Sequence, residues 1–166
     1  MTVQRRLHLD VVCTGNICRS PMGEIILRHY IDEAGLADHA VVTSCGLGGW
    51  HVGDGADHRA LEELAAHGYD GSQHRASQFG QMDADADLLI AMDTGHVSRL
   101  IASGVPEEKV RLLRSFDPAA PDQASVEDPY YGGRDGFRTT REQIEAAVPG
   151  ILEWIRQESG ADNREQ

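Results

Sequence analysis

Seven residues, Thr14 to Ser20, separate an apolar, β-branched run (LHLDVVC, 7–13) from a helix-like one opening at Pro21 (PMGEIILRHYIDEA, 21–34). A strand feeding a helix through so short a link is the opening half of a βαβ unit. That commits the chain to parallel strands with right-handed crossovers. The alternation then repeats. AVVTS (40–44) reads as a second strand, ADHRALEELAAH (56–67) as an amphipathic helix closed by Gly68, and DLLIAMD (87–93) as the middle strand of a buried sheet. Residues 94–103 read as a helix and KVRLLRS (109–115) as a fourth strand. A loop with three prolines spans Phe116 to Gly133. A final helix from about Asp135 carries Ile144, Val148, Ile151, Leu152 and Ile155 on one side. Pro149 interrupts that pattern and is expected to kink the helix or divide it in two.

The expected architecture is α/β: one domain over residues 1–158 and a polar, flexible tail at 159–166. Four parallel strands in the order 2-1-3-4 form a doubly wound sheet flanked by helices. Ligands of such sheets sit beyond the carboxyl ends of the strands, which is where Thr14 begins.

CTGNICRS at 13–20 concentrates the chemistry. Thr14, Gly15 and Asn16 can visit backbone conformations closed to bulkier residues, turning successive N–H groups inward as an anion-binding nest. The following helix adds its unsatisfied N–H groups and the positive end of its dipole. Arg19 can grip two oxygens of a tetrahedral oxyanion in a fork. A field that holds phosphate also stabilises a thiolate, which makes Cys13 a nucleophile candidate, with Ser20 placed to donate to its sulfur. Cys18 has two readings: a packing residue, or a thiol that traps an oxidised Cys13. Cleaving a phosphate ester further requires a proton for the leaving oxygen. EDPYYGG offers Asp128, which Pro129 holds extended, as general acid and then general base, with Tyr130 and Tyr131 as aromatic walls.

CTGNICRSP and DPYYGG, in this order and at this separation, resemble the two signature motifs of the low-molecular-weight protein tyrosine phosphatases of bacterial type. TSCGLGGWHVG at 43–53 resembles a third, and the likeness runs from about residue 7 to 156. The resemblance implies Cys13 as nucleophile, Arg19 as phosphate clamp, Ser20 as the thiolate-stabilising hydroxyl and Asp128 as general acid. It implies a phosphate loop of Thr14, Gly15, Asn16, Ile17, Cys18 and Ser20, supported by Ser44 and His74, with Asp93 structural beside the site. His74 read alone has the alternative of a surface residue at a helix start. Ile17, Trp50, Tyr130 and Tyr131 match the lining of an aromatic slot. The chain departs from the family at Cys45, where alanine is usual, at Leu47, where threonine is common, and at Glu127, where proline is common. The implied reaction is two-step phosphoryl transfer through a phosphocysteine, with no cofactor and no metal. Implied partners are phosphotyrosine proteins, a tyrosine kinase opposing the enzyme, and phosphate or other oxyanions as product and inhibitors.

Composition narrows the rest. A net charge of −12 argues against nucleic-acid binding through a general basic surface. It also requires a local device to attract an anionic substrate. No apolar run approaches the roughly 20 residues of a membrane span, and the start lacks a signal-peptide core. The expected setting is cytoplasmic, with leaderless export as the alternative. Three cysteines make no disulfide framework, and the 8 histidines show no ligand spacing, so no metal site is expected. A thiol-linked arsenate reductase would require a downstream cysteine pair, and none follows Cys45. A protein-arginine phosphatase, whose cradle resembles this one but carries threonine at the place of Ile17, is the alternative enzyme. A non-catalytic phosphate-binding or redox-sensing module is the alternative outside enzymes.

Overall fold

The computed structural model describes residues 6–160. Four parallel strands, β1 (Leu7–Cys13), β2 (Ala40–Gly46), β3 (Leu88–Ala91) and β4 (Val110–Leu112), form a single sheet in the order β2-β1-β3-β4. Between and after them run α1 (Arg19–Glu33), α2 (His58–Ala66), the short α3 (Gln81–Ala84), α4 (Thr94–Ala102) and α5 (Arg134–Ser159). The strand order reverses at β1, so the residues after Cys13 lie at the switch point where such sheets bind ligands. Among the described residues no helix is long and apolar enough to cross a membrane.

Alternation along the strands divides the core. Leu9, Val11 and Ile90 pack with Ile26, Ile151 and Ile155 on one face. Val12, Leu89 and Ala91 pack with Leu100 and Val105 on the other. A fully buried side chain such as Ile90 contributes roughly 1.5–3 kcal/mol relative to exposure. Helix α1 sits close over β1 because Gly23 has no Cβ: one built there would lie 2.9 Å from Val11 Cγ1 and 3.0 Å from Met92 Cε.

Several boundaries differ from expectation, each for a local reason. Helix α1 begins at Arg19, two residues before Pro21, so Arg19 and Ser20 project from its first turn. Strand β3 stops at Ala91 because Asp93 caps α4, its carboxylate accepting from the His96 amide. Strand β4 stops at Leu112, after which Leu113–Phe116 coil into a 3-10 turn. Helix α5 is not divided at Pro149 and continues as 26 residues. Buried Ile144 and Val148 before the proline, and Ile151 and Ile155 after it, fix both halves on the core and outweigh the lost hydrogen bond. Of the expected tail, Ser159 is buried in the last helical turn and Gly160 closes the helix at φ 75°. Positions 161–166 lie outside the described residues.

Candidate active site

The loop from Thr14 to Cys18 is defined by where its carbonyls go. Cys13 O accepts from Leu47 N–H (2.9 Å), Thr14 O from Gly48 N–H (2.9 Å) and Ile17 O from Asp57 N–H (2.8 Å). Asn16 O accepts from His74 Nε2 at 2.8 Å. With these carbonyls directed outward onto the β2–α2 connection and His74, the amides of residues 15–18 turn inward. Among the described residues none of them meets a protein acceptor. Asn16 makes the turn in the left-handed region (φ 59°), which asparagine tolerates better than most residues. The end of β2 presses from below: a Cβ on Gly46 would lie 2.8 Å from Gly15 C and 2.9 Å from Thr14 O.

Beneath the loop runs a relay of buried hydrogen bonds that ends at sulfur. Asn16 Oδ1 accepts from Ser77 N–H at 2.9 Å, which fixes the amide's orientation. Its Nδ2 then donates to Ser20 Oγ at 2.7 Å and Ser44 Oγ at 3.0 Å. Ser44 passes its own proton to Glu24 Oε1 at 2.5 Å. Ser20 is left with one proton and two acceptors: Cys13 Sγ at 2.9 Å and Cys45 O at 3.3 Å. The nearer sulfur is favoured, most of all as a thiolate. Asn16 and Ser20 are fully buried, so every unmade bond here would be costly.

Arg19 rises from the first turn of α1 with its side chain only 4% exposed. Its guanidinium donates to Asp93 Oδ2 (2.9 Å), Val126 O (3.0 Å) and Thr14 Oγ1 (3.2 Å). Behind it stands His96, a buried residue that sequence reasoning did not single out. Its Nδ1 accepts from Asp93 N–H at 3.3 Å, so Nε2 carries the proton and donates to Thr14 Oγ1 at 3.0 Å. Thr14 Oγ1 thus receives two donors, leaving its own proton for a group in the pocket. Burial pushes His96 down to about 4, against the pull of Asp93, so the ring is neutral at ordinary pH. Burial alone would raise Asp93. The His96 amide and Arg19 outweigh it and hold the carboxyl below its usual range. Since His96 is uncharged, Arg19 is the cation that Asp93 pairs with.

The opposite wall is the loop from Val126 to Gly133. Val126 N–H donates to Met92 O at 2.7 Å, and Val126 O takes the Arg19 bond. Asp128 Oδ1 accepts from Tyr130 N–H at 3.0 Å, capping the Pro129–Tyr131 turn. Its other oxygen lies 3.6 Å from Arg19 Nη2 and is the one free for a reacting group. A cavity of about 320 Å³ opens between the loops, with Cys13 and Arg19 at its base and Ile17, Trp50, Tyr130 and Tyr131 on its walls. Trp50 and Tyr131 stand 73% and 89% exposed, as a rim rather than a floor. His51, which the sequence reading passed over, lines the same cavity and is oriented by Asp54 at 3.2 Å.

The other thiols are buried and held protonated. Burial pushes Cys18 well above the thiol range, and it packs with the core while lining the pocket. Cys45 S–H donates to Asp10 Oδ2 at 3.2 Å. Asp10, Cys45 and Asp83 bring two carboxylates and a thiol within 4.8 Å of one another, a grouping that no sequence spacing announces. Burial, and then the charge of Asp83, push Asp10 up to about 8, so it keeps its proton at neutral pH.

Comparison with known proteins supplies independent findings. A family model described as low molecular weight phosphotyrosine protein phosphatase matches residues 8–161. A low molecular weight protein-tyrosine phosphatase A of Mycobacterium tuberculosis is 49% identical over 150 residues, covering 90% of this chain and 91% of that protein. The crystal structure of YfkJ from Bacillus subtilis superposes with a TM-score of 0.86 at 30% identity, covering 93% of this chain and 97% of that one. A Drosophila arginine phosphatase superposes at 0.79 with 32% identity, covering 87% and 95% respectively.

Proposed function

The chain belongs to the low molecular weight phosphotyrosine protein phosphatase family, and on that premise we propose that it hydrolyses phosphotyrosine in proteins through a phosphocysteine on Cys13. The observation that carries the assignment of roles is the meeting of three groups in one cavity: Cys13 Sγ held 2.9 Å from the Ser20 hydroxyl, the anchored Arg19 fork, and Asp128 with one oxygen free 3.6 Å from it.

In the first step the Cys13 thiolate attacks phosphorus in line with the tyrosine oxygen. The S–P bond forms as the P–O bond breaks, and Asp128, entering protonated, gives its proton to the departing phenolate. Arg19, the inward amides and the Thr14 hydroxyl hold the equatorial oxygens, where transition-state charge gathers. In the second step Asp128, now ionised, takes a proton from water as the water oxygen attacks phosphorus. The sulfur leaves as a thiolate, steadied by Ser20. All charge stabilisation comes from fixed dipoles and one guanidinium, so the cradle is the local device that an anionic chain requires.

The apolar and aromatic walls suit a phenyl ring. The likeness to an arginine phosphatase supplies a second reading, in which the same cradle serves a phosphoguanidinium. Ile17 and the two tyrosines favour the first. Three buried free thiols fit a reducing, cytoplasmic setting with phosphotyrosine proteins as substrates and a tyrosine kinase as the opposing activity.

The test is turnover of p-nitrophenyl phosphate and a phosphotyrosine peptide in the presence of chelator, alongside a phosphoarginine peptide. Phosphotyrosine turnover is expected, with Cys13→Ser losing at least about 10⁴-fold while still binding vanadate. Preferential turnover of phosphoarginine would transfer the assignment to the second reading.

A further inference from the structure

Asp128 sits on an exposed loop, yet a general acid must meet the leaving oxygen within hydrogen-bond reach. Upstream the loop is anchored by Arg19 on Val126 O (3.0 Å). Downstream a second arginine takes hold. Arg59, in the first turn of α2, donates from Nη2 to Tyr130 O at 3.1 Å and from Nη1 to Gly132 O at 3.3 Å. Its guanidinium lies 4.7 Å from the Phe137 ring centroid and 5.6 Å from that of Tyr130, within the range of cation–π attraction.

Arg59 is itself fixed. Its Nε and Nη2 grip the two oxygens of Asp57 at 3.0 and 2.9 Å, and its amide donates to Asp57 Oδ1 at 2.8 Å. Asp57 in turn gives its own amide to Ile17 O, in the phosphate loop, at 2.8 Å. An unbroken set of contacts therefore runs from the phosphate loop through Asp57 and Arg59 to the downstream end of the Pro129–Tyr131 turn. The Asp57 carboxylate is 8% exposed and the Arg59 side chain 22%, so this is a partly desolvated fork rather than a loose surface pair.

We infer that Arg59 is a positioning residue for proton transfer: by tying Tyr130 and Gly132 to the flank of the phosphate loop, it sets the distance between Asp128 and the leaving oxygen above Cys13. The inference rests on the phosphatase reading and deepens it. The Arg59 guanidinium bonds Asp57, Tyr130 and Gly132, not Cys13 or Arg19. Its loss leaves the cradle intact and frees the acid loop on its downstream side. A lysine there would keep the charge but not the fork that spans Asp57 and two carbonyls.

The experiment compares kcat/KM, which reports the first chemical step, for phenyl phosphate and dinitrophenyl phosphate, whose leaving groups differ in their need for a proton. Arg59→Gln is expected to lose about tenfold or more on phenyl phosphate and less than about threefold on dinitrophenyl phosphate, a fraction of what a general acid supplies. Arg59→Lys should fail to restore the difference. Asp57→Asn keeps the helix cap and loosens the fork. It should show the same pattern at smaller size, and provides the reading should Arg59→Gln fold poorly. Equal losses on both esters, or full rescue by lysine, would overturn the positioning role. Absence of turnover by the wild-type protein on either ester would instead overturn the phosphatase reading beneath it.

Discussion

The two loops that face each other across the cavity are built on opposite plans. The phosphate loop is buried and over-determined: the carbonyls of Thr14, Asn16 and Ile17 are taken from outside it, and Asn16 and Ser20 are inaccessible to solvent. The acid loop is tied at a few points, with the Asp128 side chain 37% exposed. The contrast follows from what each must do. A nucleophile and its oxyanion donors act on the same phosphoryl group in every substrate, so rigidity there lowers reorganisation at the transition state. An acid must reach the oxygen of whatever protein segment arrives, so its loop is anchored at either end and open in the middle.

The largest test of this contrast is Asp128→Ala. It should lower kcat/KM for phenyl phosphate by roughly 10²–10³-fold and for dinitrophenyl phosphate far less. Its thermal midpoint should stay near the wild-type value, since the exposed carboxylate makes one short-range cap and one solvent-screened contact to Arg19. Comparable slowing of both esters would remove its role as proton donor. On the other side, Asn16→Ala should damage activity and fold together. It deletes two donors and an acceptor in a buried relay and puts alanine at φ 59°. A loss of about 3 kcal/mol is expected, seen as a midpoint lowered by roughly 6–12 °C. An unshifted midpoint would mean that the phosphate loop is no more constrained than the acid loop.

The smallest effect is a pH dependence confined to the strand that carries the nucleophile. Asp10 has a folded value of about 8 against an ordinary 3.8, so between those limits the folded chain holds more protons than the unfolded one. Its contribution to stability is full below about pH 4 and falls as pH rises toward 8. Asp10→Asn should therefore gain in stability over the wild type as pH rises from 5 to 8. Identical pH slopes in urea titrations of the two proteins would contradict it.

How much of this was legible beforehand depends on distance along the chain. The nest, Arg19 and Ser20 follow from a few consecutive residues, because a strand, a glycine loop and a helix start are local events. Asp128 was legible only because the cradle demands a proton donor; alone, its Asp-Pro reads as a turn. His96 was not. Asp-Thr-Gly-His reads as a helix cap, which it is, and nothing in that spacing tells that the ring meets a threonine 82 residues earlier. Glu24, Arg59 and the Asp10–Cys45–Asp83 group were hidden for the same reason: their partners come from other elements. The undivided α5 shows the converse: of the two outcomes expected at Pro149, a break is prevented by packing on both sides of it.

Gly46 has a bearing on how such an enzyme can diversify. With loop backbone within 3 Å of where a side chain would begin, even alanine there would have to displace the loop that holds phosphate. The exposed rim at Trp50 and Tyr131 meets no such barrier. Selection, or a designed library, can therefore rewrite which phosphoprotein is admitted while the chemistry beneath it stays the same.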